Sequence, residues 1–191
     1  MERMSRWDFG GNYADATAMA ISRFFIDHGA QAPTSRAIAA AAKMSPSSLT
    51  SHFGGREPML RMSAASWATF HGELLQERVA ARGWDGFLPG DEEELDMTKA
   101  WLCWRALAIA DAEMSESVGR AARVQERLLR NELRRLGTSY AADGLPIRIT
   151  SRYLDGLVDS LIDPVRPLDR VEVADEWMSF RARLVDPAGA R

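Results

Sequence analysis

Cysteine is nearly absent: Cys103 is the single thiol in 191 residues, so no internal disulfide can form. Long apolar runs are missing too. No stretch of eighteen apolar residues occurs, and no transmembrane helix is expected. The opening MERMSRWDFGGNYADA lacks the apolar segment of a secretory signal. With one cysteine, these absences predict a cytoplasmic protein with no membrane partner. Alternating runs of β-branched and aromatic residues are also lacking, which excludes confident strands. The three histidines, His28, His52 and His71, stand apart without metal-ligand spacing, and there is no nucleophile elbow, P-loop or dinucleotide fingerprint. Cys103 lies in an apolar segment where an inert buried thiol is expected, and the acidic run Asp91–Glu94 with Asp96 lacks a calcium-loop pattern. Neither an enzyme nor a bound cofactor or metal is expected.

A large excess of charge of one sign is lacking as well. The net charge is -3, so the chain as a whole is no obvious polyanion binder, but its distribution is uneven. Residues 1–66 carry 7 Lys and Arg against 5 Asp and Glu; the remainder carries 17 against 22. The first third therefore prefers a different partner.

What is present is helical periodicity over almost the whole chain, with 46% hydrophobic residues to supply a core. Helices are predicted over 13–28, 35–42, 46–52, 56–82, 95–112, 115–136, 147–163 and 169–184. Gly29 stops the first, GWDGFLPGDEEE (83–94) reads as a loop, and AADGLP (141–146) as a break. Asp163-Pro164 and Pro167 split the last two.

The segment Thr34–Leu60 holds the most specific signal. Thr34 can cap the second helix, and Ser45-Pro46 is a start signal for the third, with Pro46 at the first helical position. Lys43 and Met44 alone separate them, the tight turn of a helix-turn-helix. Ile38, Ala41, Met44, Leu49 and Phe53 can close a small core with Ile21, Phe24 and Phe25. The other face of the third helix shows Pro46, Ser47, Thr50, Ser51 and His52. Short hydroxyls let a helix approach DNA closely and bond phosphates or either base type.

With these residues in view, segment 13–62 resembles the DNA-binding domain of the TetR family of transcriptional regulators, through FFIDHG, TSRAIAAAAKMSPSSL, HFGGRE and the following ML. A weaker likeness, YLDGLVDSLIDP, falls in the family's C-terminal domain. The resemblance implies an all-α fold: an N-terminal three-helix domain joined by a long helix to a helical ligand-binding and dimerisation domain. The parts would be a flexible arm (1–12), a DNA-binding domain (13–62) and the helical domain (63–187). It implies that Thr34, Ser35 and Arg36 touch the DNA backbone. Ser45, Pro46, Ser47 and Ser48, with Thr50, Ser51 and His52, would form the recognition helix. His52 matches a phosphate-contacting position, and Arg56 stands where the family has a phosphate-gripping lysine. Two positions depart from the pattern. Lys43 replaces a glycine, at a strain cost of roughly 1 kcal/mol if φ is positive there. Thr50 replaces an aromatic residue. These departures favour the alternative of a TetR-like protein with weakened or lost operator binding that acts by protein–protein pairing.

Downstream, Trp67, Phe70, Trp101 and Trp104 suit either ordinary core packing or an apolar small-molecule pocket between the fourth helix and 95–112. Arg105 is the candidate ligand anchor, unless it snorkels or pairs with Asp111. Tyr153, Leu154, Leu157, Val158, Leu161 and Ile162 form one apolar stripe; Val173, Trp177, Phe180 and Leu184 form another. Each faces either its own core or a twofold partner in a four-helix bundle. The resemblance favours a homodimer on a near-palindromic double-stranded operator, most simply a repressor released by a small apolar effector.

Overall fold

A computed structural model describes residues 12–31, 33–137, 144–161, 163 and 165–185. Nearly all of the expected arm, part of the expected break, Ile162 and the end of the expected C-terminal domain lie outside them. The described residues form eight α-helices and no strand: α1 (Tyr13–His28), α2 (Ser35–Ala41), α3 (Pro46–Phe53), α4 (Arg56–Arg82), α5 (Glu92–Ala108), α6 (Ala112–Arg135), α7 (Gly144–Ser160) and α8 (Arg170–Val185).

Helix starts follow local hydrogen bonding. Asn12 caps α1 by accepting from the Asp15 N–H at 3.0 Å. Asp91 accepts from the Glu94 N–H at 2.8 Å, and Glu92, Glu93 and Glu94 fill the first turn, where negative charge suits the positive helix end. This cap starts α5 before residue 95 and shortens the expected 83–94 loop. Asp111 likewise accepts from Glu113 and Met114, both at 3.0 Å, and starts α6 at Ala112 rather than 115. What remains of the loop is not open. Gly83–Phe87 coils into a 3-10 turn whose Trp84 and Phe87 are buried. Gly86 lies so close to the Arg78 carbonyl that a Cβ would come within 2.3 Å of its oxygen, so only glycine fits.

The chain divides into two compact units. One contains the described residues up to Gly72 with Asp91–Ala121; the other contains Glu73–Gly90 and the described residues from Ala122 onward. α4 and α6 each supply residues to both.

In the first unit α1 packs against α2 and α5. Its inward face holds Ala18, Ile21 and Phe25, but also buried Thr17 and Ser22. Both polar groups are satisfied across helices. Thr17 Oγ1 and Ser63 Oγ are 2.7 Å apart, and Trp104 Nε1 donates to Ser22 Oγ at 2.8 Å. Ser66 on α4 also donates to Asp15. Buried polar groups left unpaired cost about 1–3 kcal/mol each, so these bonds select one seating of α1 on α4 and α5.

The core of the second unit joins Leu75 and Val79 of α4, Trp84, Phe87 and Leu88 of the turn region, Leu129 and Leu133 of α6, Ile147, Leu154 and Leu157 of α7, and Val173 and Trp177 of α8. Val158, Leu161, Phe180 and Leu184 pack against it, partly buried. Of the dimer-interface candidates, Leu154, Leu157 and Trp177 are buried in their own chain's core and Val158, Leu161 and Phe180 pack against it, because the 3-10 turn offers Trp84 and Phe87 to the face that the stripes present.

Candidate nucleic-acid interface

Residues 34–56 build the interface from its caps outward. Thr34 Oγ1 accepts from the Ala37 N–H at 3.2 Å and starts α2. α2 ends in a Schellman turn: the Lys43 N–H reaches the Ala40 carbonyl at 3.2 Å and the Met44 N–H reaches Ala39 at 2.8 Å. Such a turn needs a left-handed residue. Lys43 supplies it at φ 55°, the only non-glycine with positive φ among the described residues. The strain anticipated from the sequence is therefore present.

Ser45 then starts α3. Its Oγ accepts from the Ser48 N–H at 3.0 Å and shares hydrogen bonds with the Ser47 and Ser48 hydroxyls at 2.8 and 2.7 Å. Pro46 occupies the first turn, where its missing N–H costs nothing. Leu49 and Phe53 turn inward and are buried, while Ser47, Ser48, Thr50, Ser51 and His52 are exposed. The helix thus presents a row of hydroxyls on an anchored backbone. Thr50 Oγ1 donates to the Pro46 carbonyl of its own helix at 3.1 Å. That bond must be exchanged before the hydroxyl donates to DNA, although its lone pairs remain able to accept.

Thr34, Arg36 and Arg56 are exposed and Ser35 is half-buried, so the named residues of α2, α3 and the start of α4 lie within one short stretch of linked elements. The Arg56 guanidinium donates to the Pro33 carbonyl at 3.5 Å, which ties the start of α4 to the residue before α2. Sequence reasoning missed Tyr13. Its ring meets His52 edge to face at 4.4 Å, and Phe53 also meets the imidazole edge to face at 4.8 Å. No spacing links residues 13 and 52; only the folded packing brings them together.

Arg61, one turn further along α4, is differently employed. Its Nε bonds Asp111 at 2.8 Å and its Nη1 bonds Glu113 at 3.2 Å. The Met114 N–H, then Arg61, hold the Asp111 carboxyl below its ordinary pKa. Asp111, considered from the sequence as a partner for Arg105, is thereby engaged by Arg61.

The candidate effector residues are in the same unit. Trp67 and Trp104 are fully buried, Trp101 is buried, and Phe70 and Arg105 are half-buried. Trp67 packs on Phe70 at 5.3 Å, and Trp104 meets Phe25 edge to face at 5.1 Å. Trp101 stacks on His71, an unforeseen neighbour, at 4.3 Å. Elsewhere, in the second unit, a half-open cavity of about 500 Å³ lies among Arg82, Asp85, Leu88, Arg170, Trp177 and Met178. Trp177 is its only member that the sequence reading singled out.

Residues 19–61 match the family model described as bacterial regulatory proteins, tetR family. No curated protein matches the sequence. Among solved structures, a Rhodococcus sp. protein assigned to the TetR-family transcriptional regulators superposes with a TM-score of 0.70 at 15% identity, over 95% of this chain and 100% of its own. A transcriptional regulator of Rhodococcus sp. Rha1 gives 0.72 at 17% identity, over 92% and 97%. The multidrug binding protein EbrR in complex with imidazole gives 0.60 at 16% identity, over 89% and 95%. Residues 19–61 therefore belong to the tetR family of bacterial regulatory proteins, and they are part of a chain with the all-α fold of TetR-family transcriptional regulators.

Proposed function

We propose that the protein is a cytoplasmic, homodimeric repressor that binds a palindromic double-stranded operator through residues 13–62 and responds to a small apolar effector through 63–187. The observation that carries this reading is the exposed hydroxyl row of α3, anchored by the Ser45 cap and flanked by Arg36, Lys43 and Arg56. Cations beside small hydroxyls suit phosphates beside base edges. Selection of bound sequences from a random duplex pool tests it. A palindromic consensus with half-sites one helical turn apart, about 34–36 Å, is expected. Arg56→Ala should weaken all sequences alike and lower the salt dependence by about one counterion. Ser47→Ala should alter base preference. No preference for any duplex at low salt would reject operator binding.

A second reading has its own support: the Thr50 hydroxyl is already bonded within α3, and Lys43 carries strain at the turn. Under it the protein has weak operator affinity and acts by pairing with another regulator. The same selection separates the two.

The effector part rests on the aromatic residues Trp67, Phe70, Trp101 and Trp104 with Arg105. It is supported by a structurally similar protein, EbrR, being a multidrug binder seen with imidazole and with proflavin. Because Trp67 and Trp104 are fully buried, an effector must displace packed side chains to lie among them, and its binding would be read directly as a change in tryptophan emission. A coupling of ~1–3 kcal/mol to the DNA-binding unit is enough to shift operator affinity about 5- to 150-fold.

A further inference from the structure

Tyr13 is the first residue of α1 and is 50% exposed. Its backbone is firmly seated. Asn12 caps the helix at this point. Thr17 Oγ1 donates to the Tyr13 carbonyl at 2.9 Å, which spends its one proton and leaves Ser63 Oγ of α4 to donate to it at 2.7 Å. Ser66, also on α4, donates to Asp15. The first turn of α1 is thus fixed on α4, and the acidic side chain of that turn is engaged there.

The Tyr13 ring stands against His52, in the last turn of α3, with centroids 4.4 Å apart and planes at 64°. His52 is exposed. Neither the phenol hydroxyl nor either imidazole nitrogen has a hydrogen-bond partner among the described residues. Packing on His52 needs only a ring, which phenylalanine would supply; the hydroxyl adds nothing to that contact. A neutral imidazole always carries one N–H, whichever tautomer it adopts, and a phenol always carries its O–H. Two donors are therefore held side by side on neighbouring rings, at the end of the exposed hydroxyl row of α3. Phosphate oxygens accept from both donor types.

We infer that Tyr13 belongs to the nucleic-acid interface, its hydroxyl and the His52 imidazole bonding one backbone phosphate of the bound duplex. This rests on the operator-binding reading and adds to it a contact from α1, outside the helix-turn-helix itself. A phosphate contact fixes register and adds affinity but carries no sequence information. The phenol is neutral, so its contact releases no counterion of its own. These two properties separate Tyr13 from a base-reading residue and from a cation.

The test uses the full chain with two probes, the duplex selected from the random pool and a mixed-sequence duplex. Tyr13→Phe keeps the ring on His52 and removes only the hydroxyl. Anisotropy titrations should show about tenfold weaker binding to both duplexes, the loss of a hydrogen bond to a charged group, with the salt dependence and the thermal midpoint unchanged. In a His52→Ala background the same change should cost less than about threefold, because the two donors share one phosphate. Phosphate-ethylation interference supplies a readout that packing would not move: in Tyr13→Phe one phosphate of each half-site should lose most of its interference. Tyr13→Phe that binds both duplexes as wild type does, with the same interference pattern, overturns the contact and leaves operator binding standing. A loss confined to the selected duplex makes Tyr13 a base reader and overturns it too. Wild-type protein that binds neither duplex at low salt removes the operator reading and this contact together.

Discussion

Trp84 and Trp177 stack with ring centroids 4.3 Å apart, and each donates its indole N–H to the other's backbone carbonyl, at 3.5 Å from Trp84 and 3.0 Å from Trp177. The pair closes the 3-10 turn onto α8 and satisfies two buried donors at once. Trp177→Ala should destabilise the protein by about 3–5 kcal/mol, seen as a lower urea midpoint. Trp177→Phe keeps a ring against Trp84 but loses one hydrogen bond, and should cost about 1 kcal/mol for that bond. Were Trp177 an interface residue, its loss would instead lower the dimer mass with little effect on the stability of one chain.

Trp104 is tied to Ser22 and Phe25 of α1, so its first role is to hold α5 against the helix-turn-helix. Trp104→Phe removes the donor and should cost about 1–3 kcal/mol, with Ser22 left short of its partner. Combined with Ser22→Ala, the double-mutant cycle should return a coupling of about 1 kcal/mol. Additive effects would show that the hydrogen bond is not formed in solution.

Lys43 should give opposite answers in two assays. Lys43→Gly relieves the left-handed strain and should stabilise the fold by about 0.5–1 kcal/mol, after the added freedom of the unfolded chain is counted. It also removes a cation beside α3, so operator affinity should fall and its salt dependence should lessen. A variant that is both more stable and tighter on DNA would contradict a phosphate role for Lys43.

Acid should loosen the Asp111 junction. Its carboxyl is held below the ordinary value by the Met114 N–H first and the Arg61 side chain next. Asp163 is lowered in the same direction by the Val165 and Arg166 N–H groups. A carboxyl with a depressed folded pKa stabilises the fold at pH above its unfolded value of about 3.9, and that contribution is lost as pH falls through the folded value. Thermal midpoints should therefore be insensitive to these groups between pH 5 and 7, taken roughly, and fall below about pH 4. Asp111→Asn keeps a capping oxygen but not the charge, and should flatten that acid limb. An unchanged acid limb in Asp111→Asn would mean the group is not shifted.

The sequence alone determined the helices and the turn between α2 and α3. Caps are local: Thr34 and Ser45-Pro46 act on N–H groups within three residues, so their effect can be read in order along the chain, whereas Asp91, in a segment read as loop, starts α5 earlier than expected. The left-handed demand at Lys43 was legible for the same reason. The hydroxyl row of α3 was legible as well, since helical period and two inward apolar residues, Leu49 and Phe53, leave only one outward face. Tertiary structure alone decided which of several apolar faces is spent inside the chain. Periodicity marks that a face is apolar but not what it meets. The 83–94 segment, polar and glycine-rich in sequence, folds back and carries Trp84 and Phe87 into contact with α8, using up the Trp177 stripe and leaving Met178 exposed. The same limit hid Tyr13 beside His52 and His71 against Trp101. These pairs stand far apart along the chain and meet only because folded helices bring their side chains within van der Waals reach.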